Sequence, residues 1–191
     1  MEQRTRVPDH LYHYYERLRG PLVSLSELSP EDAEAILGEI RRDGVTFASR
    51  RSSEYLGIRR ILEEKLQMLF REKGGQPRRA RPHYFILGPC PWVRGWYNNG
   101  CEVRITLAAV APAVVSFTYG DSFPAMRYQD GKPYRGQVYT LEELPRLVAE
   151  YGLPQEWNPD GEYGPDRYIE AQVWDDGPVQ SCLQAQTEAS I

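Results

Sequence analysis

The chain is poor in the residues that staple or ligate. Among its 191 residues are three cysteines, Cys90, Cys101 and Cys182, too few and too scattered for a disulfide framework or a four-thiolate metal site. Three histidines, His10, His13 and His83, do not make a zinc set without partners that the sequence does not point to. No apolar run approaches the roughly 18 residues of a membrane span, so no membrane partner is expected. The opening stretch MEQRTRVPDH lacks the apolar core of a signal peptide, and a cytoplasmic chain with reduced thiols is the expectation. There is no Gly-x-x-x-x-Gly-Lys phosphate loop, no His-Glu-x-x-His and no Gly-x-Ser-x-Gly. Internal repeats and low-complexity tracts are also missing.

What is present is ordinary globular composition with an uneven charge. The net charge is −4, yet residues 41–81 hold twelve Lys and Arg against five Asp and Glu, an excess of +7 that leaves −11 elsewhere. Such a stretch is either a solvated helix face or a patch for an anionic ligand, a nucleotide or a nucleic acid.

Punctuation and periodicity divide the chain. HLYHYYE (10–16), bounded by Pro8 and Gly20-Pro21, reads as a strand. Ser29 followed by Pro30 and two acids starts a helix that Arg41, Arg42 and Gly44 end. GVTFAS (44–49) reads as a short strand. Apolar residues at 55, 58, 62, 66 and 69 form one helical stripe, capped by Ser52 or Ser53 and closed by Gly74-Gly75. Beyond 83 the period shortens, with strands expected over 83–88, 101–107, 113–119, 135–140 and 167–174. Asp130-Gly131 marks a hairpin turn, and Thr140 with Glu143 a capping box before a helix that contains Pro145. Residues 177–191 lack a core pattern and read as a mobile tail. The expected fold is α+β: one domain over 1–176, with two N-terminal helices and a strand-rich second half, mixed or antiparallel.

The candidates for chemistry are few. Cys90, in GPCPW, is a possible nucleophile beside His13 or His83, although most loop cysteines are inert. A cluster over 116–128, with Tyr119, Asp121, Ser122, Arg127 and Tyr128, is either a pocket wall or a hairpin edge closed by an Asp turn. Glu170 is the odd residue of RYIEAQVW. Alternation puts it with Tyr168 and Gln172 on one strand face while Ile169, Ala171 and Val173 take the core face, so a carboxylate there is solvated, paired with an Arg, or used.

Three segments in order, LYHYY (11–15), GVTFASRRSSEYL (44–56) and RYIEAQVWDD (167–176), resemble the ADP-ribosyltransferase superfamily. The third is similar to the late Tyr-x-Glu-x-x-Val-Tyr-Asp strand of poly(ADP-ribose) polymerases, through Tyr168, Glu170, Val173, Trp174 and Asp175. The resemblance implies a domain that binds NAD as substrate, without a metal, and transfers ADP-ribose to a protein or nucleic-acid acceptor. It implies Glu170 as the catalytic carboxylate and His13 as the ribose contact. It places Tyr55 on the nicotinamide ring, Arg50 and Arg51 toward the pyrophosphate, and Tyr12, Phe47 and Ser49 around the cofactor. It also implies that the strands carrying His13, Phe47 and Glu170 share one sheet system with a cleft between them. Two other readings stay open: a non-enzymatic interaction module, such as an immunity or regulatory partner, and a nucleotide or nucleic-acid binder working through residues 41–81.

Overall fold

The computed structural model describes residues 6–22, 24–44 and 47–188; the side chains of 43, 47, 48 and 186–188 lie outside that description. In chain order the elements are β1 (His10–Glu16), α1 (Pro30–Asp43), α2 (Tyr55–Glu72), β2 (His83–Leu87), α3 (Pro91–Arg94), β3 (Gly100–Thr106) and β4 (Val115–Tyr119). There follow α4 (Ser122–Arg127), β5 (Tyr139–Thr140), α5 (Leu144–Tyr151), α6 (Pro154–Trp157), β6 (Ile169–Val173) and α7 (Gly177–Glu188). The strands form one six-stranded sheet in the order β3-β1-β2-β6-β4-β5. Every strand pair in it is antiparallel, so of the two arrangements expected the antiparallel one is present.

Sequence and structure agree where local signals are strong. Ser29 caps α1 by accepting from the Asp32 N–H at 3.0 Å, and Gly44 closes the helix at φ 64°, a conformation that costs glycine no steric penalty. Thr140 and Glu143 make the reciprocal capping contacts, at 2.8 Å and 3.4 Å, with Pro145 harmless in the first turn of α5.

Strand alternation gives the sheet two buried faces. On one, Leu11, Phe85, Val103, Ile105, Phe117, Ile169, Ala171 and Val173 pack under Leu144, Leu147 and Val148 of α5 and Val179 of α7. On the other, Leu62, Leu66 and Phe70 of α2 cover Trp174 and Met126. Each such side chain, fully buried, contributes about 1.5–3 kcal/mol. This double cover is why all five residues of β6 are buried, Glu170 among them.

Four expectations are corrected. The described part of 44–49 holds no strand: Phe47–Arg50 is a 3-10 turn, and Val45 and Thr46 lie outside the described residues. Just beyond it, the Arg41 guanidinium donates to the Arg51 and Ser52 carbonyls and ties that stretch to α1. Neither Ser52 nor Ser53 caps α2, which begins after Glu54 without a side-chain cap. The 135–140 strand shrinks to Tyr139–Thr140, and no hairpin forms at Asp130-Gly131. Here Arg135 is drawn to Asp130 and to the fully buried Asp166, which also takes Lys132 Nζ and the Tyr134 hydroxyl. Finally, 177–188, expected as part of a mobile tail without a core pattern, is helix α7. Val179, Cys182 and Leu183 pack it onto the core, a pattern too sparse to stand out as periodic.

Candidate functional site

Glu170 lies mid-β6 on the face covered by α2 and α4, and is 5% exposed. A ladder of polar side chains runs along this face toward it. Trp174 Nε1 donates to Ser116 Oγ, Ser116 donates to Gln172 Oε1, and Gln172 Nε2 donates to Thr118 Oγ1 and to Glu170 Oε1. The Ser122 backbone N–H, in the first turn of α4, adds a contact to the same Oε1 at 3.3 Å. No described residue donates a hydrogen bond to Oε2. Glu170 is therefore largely withdrawn from bulk solvent and, among the described residues, closes no ion pair within 4.0 Å, so neither a surface carboxylate nor an Arg-paired one describes it. Burial, and secondarily the nearby Asp121 charge, push its pKa up to about 7; Arg59 and the two donors to Oε1 pull the other way.

The carboxyl borders a cavity of about 1060 Å³ with aromatic walls. Tyr12 and Tyr14 of β1, Tyr84 of β2, Trp92 of α3 and Tyr168 line it from the sheet side, and Tyr55, Arg59 and Phe123 from the helices. Tyr55 and Phe123 stack with centroids 5.0 Å apart and planes 8° from parallel, and Arg51 lies 4.3 Å from the Tyr55 centroid. Asp121 caps α4 through the Phe123 N–H and accepts from the Tyr168 hydroxyl at 3.0 Å. Thus the Asp121 of the 116–128 cluster is both a self-satisfied turn residue and part of the cavity wall, whereas Tyr119 is buried in the core.

Arg59 is the cavity cation that bears most directly on Glu170, and the sequence reading passed over it. Its guanidinium carbon sits 3.7 Å from the Tyr84 ring centroid, and its Nε donates to Glu63 Oε1 at 3.1 Å. Burial opposes its charge, but Tyr84, Tyr55, Glu170 and Glu63 outweigh that and hold the guanidinium protonated. Glu63 has no exposed side-chain surface and also accepts from Ser26 and from the Tyr84 hydroxyl; Arg81 Nε approaches its Oε2 at 3.4 Å without hydrogen-bond geometry. The available signal was two charges four residues apart within the buried face of α2.

Of the residues expected at the site, Glu170, Tyr55 and Tyr12 meet at the cavity. His13 also borders it, yet its ring belongs to the other sheet face. Tyr12 stacks on Tyr14, while His13 stacks on Tyr15 and leans on Phe85. Both His13 nitrogens serve the backbone: Nδ1 donates to the Tyr84 carbonyl at 2.8 Å and Nε2 accepts from the Leu22 N–H at 3.1 Å. Burial lowers its pKa to about 4, so it stays neutral at physiological pH. The ribose contact assigned to His13 is thereby corrected: neither nitrogen is left for a ligand. Arg50 is exposed and does not line the cavity, so Arg51 is the nearer of that pair; Ser49 lies in the 3-10 turn, and the Phe47 side chain is outside the described residues.

Cys90 is buried, with its thiol pushed up by burial, and His83 Nε2 is engaged by Asp176 at 2.8 Å, so no activated thiol is built here. Among the described residues, six of the twelve Lys and Arg in the basic stretch form ion pairs, Arg59 and Arg81 with acids of α2 and the others with acids outside the stretch. Arg41 meets Glu34, Lys73 meets Glu143, Arg78 meets Asp175, and Arg79 meets Glu27 and Asp176. Among the described residues no group of three or more His, Cys, Asp or Glu is placed to hold a metal ion, and no helix is long and apolar enough to cross a membrane.

These features define the chain as a single-domain α+β protein with an antiparallel sheet and a buried carboxyl in an aromatic cavity. Compared with known proteins, it matches no family model, no curated protein and no solved structure.

Proposed function

We propose that the cavity binds NAD or a related nucleotide and that Glu170 serves ADP-ribosyl transfer, the reading first suggested by the resemblance of RYIEAQVWDD. One observation carries it: a buried carboxyl with one oxygen that accepts from no described residue borders an aromatic-walled cavity of cofactor size. Loss of nicotinamide from NAD develops positive charge on the ribose carbon. An ionised carboxylate in a low-dielectric site stabilises that charge more than water does. The aromatic walls suit planar rings, and Arg59 and Arg51 suit the anionic part of the ligand. A ring stacking on Tyr55 has to compete with Arg51 and Phe123, which already flank it. The reading no longer includes His13 and rests on Glu170.

The pairing of Arg41, Lys73, Arg78 and Arg79 with acids favours this cavity over nucleic-acid binding through residues 41–81. The test is calorimetric titration of NAD into the wild type and Glu170→Gln, with nicotinamide release measured in parallel. Comparable binding with release reduced about 10²–10³-fold in the variant is expected. Absence of NAD binding to the wild type would overturn the proposal.

A further inference from the structure

The oxygen left open on Glu170 calls for an explanation, because a guanidinium stands in the same cavity. Arg59 and Glu170 both line it, and each perturbs the other's charge, yet no ion pair closes between them within 4.0 Å. A buried carboxylate and guanidinium ordinarily join, since pairing offsets the desolvation of both.

The geometry of Arg59 explains the gap. Its Nε is drawn to Glu63 Oε1, its plane lies over the Tyr84 ring, and the one group it meets near Glu170 is Ser122 Oγ, through Nη1 at a long 3.4 Å. Glu63 is itself fixed by the Ser26 and Tyr84 hydroxyls, at 2.9 Å and 3.0 Å, and by Arg81. It has no exposed surface and forms no part of the cavity lining, so solvent and ligand do not account for a carboxylate at this depth. Replacing it with an apolar residue would strand Arg59 and Arg81, and a core with no such charges would be simpler to build.

We propose that Glu63 is a positioning residue: it anchors Arg59 against the Tyr84 ring, keeps Arg59 from closing an ion pair with Glu170, and so leaves Glu170 open toward the cavity. The groups facing Glu170 are Arg59 from α2, Tyr84 from β2, Asp121 at the head of α4 and Tyr168 preceding its own strand; Thr118, its partner on β4, carries no charge. Arg59 is the one cation among them, so where it stands decides how readily Glu170 ionises. With Glu63 neutral, Arg59 loses its anchor and turns to the nearest carboxylate with a free oxygen. The inference takes from the proposed function only that Glu170 is the working carboxyl of the cavity.

The experiment is a ¹³C NMR titration of the Glu170 side-chain carboxyl, assigned by its loss in Glu170→Gln, with no ligand present. The wild-type midpoint is expected at about 7. Glu63→Gln is expected to lower it by a unit or more, about a tenfold loss of proton affinity. Arg59→Met is expected to raise it, because the one favourable charge is gone. Opposite shifts from two contacting residues are a signature that loosened packing does not produce. Should Glu63→Gln not fold, Glu63→Asp keeps the buried charge but withdraws it by one methylene, and it should move the midpoint in the same direction by less. A midpoint unchanged or raised in whichever Glu63 variant folds, or unchanged or lowered in Arg59→Met, overturns the inference. Since NAD takes no part in the titration, the expected shifts in a protein that ignores NAD would retain this inference and remove the proposed function.

Discussion

His13 and Glu170 lie in one sheet, on strands separated only by β2, but their side chains occupy opposite faces of it. Glu170 is level with Ile86 and Tyr12, whereas His13 sides with Phe85 and Tyr15. A single residue of strand phase thus separates the two most suggestive polar residues of the sequence.

The two groups should act oppositely on stability as pH changes. Folded His13 has a pKa of about 4 against an ordinary 6.5, so the unfolded chain binds more protons between these values and stability rises with pH there. Folded Glu170 has a pKa of about 7 against 4.5, so the folded chain holds the extra proton and stability falls as pH rises across that window. The contributions oppose each other from pH 4.5 to 6.5. Glu170→Gln removes the falling one, and urea melts of this variant should gain stability relative to wild type as pH is raised. Parallel pH profiles for the two proteins would contradict this account.

Asp121 is the charge that most raises Glu170 after burial itself. Asp121→Asn keeps a capping oxygen for the Phe123 N–H and a polar partner for Tyr168, so the fold should persist. Glu170 should then ionise at lower pH, by about one unit or 1.4 kcal/mol. Any NAD turnover that needs the carboxylate should rise through pH 7 in the wild type and begin its rise earlier in this variant. A pH–rate profile identical in both would show that Asp121 does not tune the site.

Asp166 joins the 130–135 loop to the chain entering β6, taking Lys132, Arg135 and Tyr134 onto one fully buried carboxylate. Asp166→Ala leaves two cations without that partner and should cost about 3–5 kcal/mol in urea unfolding. A loss under 1 kcal/mol would mean that Asp130 or solvent absorbs both charges.

Nucleic-acid binding through residues 41–81 should be weak. Long polyanions bind by displacing counterions at free cations, and much of the Arg and Lys here is already paired with carboxylates. A mixed-sequence oligonucleotide should show no retained complex at physiological salt in a fluorescence-anisotropy titration. Tight binding that falls steeply with added salt would reverse the ranking of the two readings.

Local chemistry made part of this protein legible in its sequence. The Ser29 cap, the Gly44 stop, the Thr140–Glu143 box and the apolar alternation of β6 follow from contacts within a few residues, and each is found as read. Glu170 could be singled out because a charge in an apolar strand is anomalous wherever that strand lies. The sequence did not reveal that its face would be buried, since that depends on α2, about a hundred residues earlier, closing over the sheet. The shortened strand at 135–140 has its origin in Asp130 and Asp166, which claim Arg135 through side-chain contacts that no periodicity records. Arg59 and Glu63 looked like ordinary helix charges until Tyr84, Ser26 and Arg81 enclosed them. Sequence determined which residues prefer helix, strand and cap, because those preferences act over one or two turns. Tertiary structure decided which charges were desolvated and which partners they met, because burial is a property of surfaces brought together from distant parts of the chain.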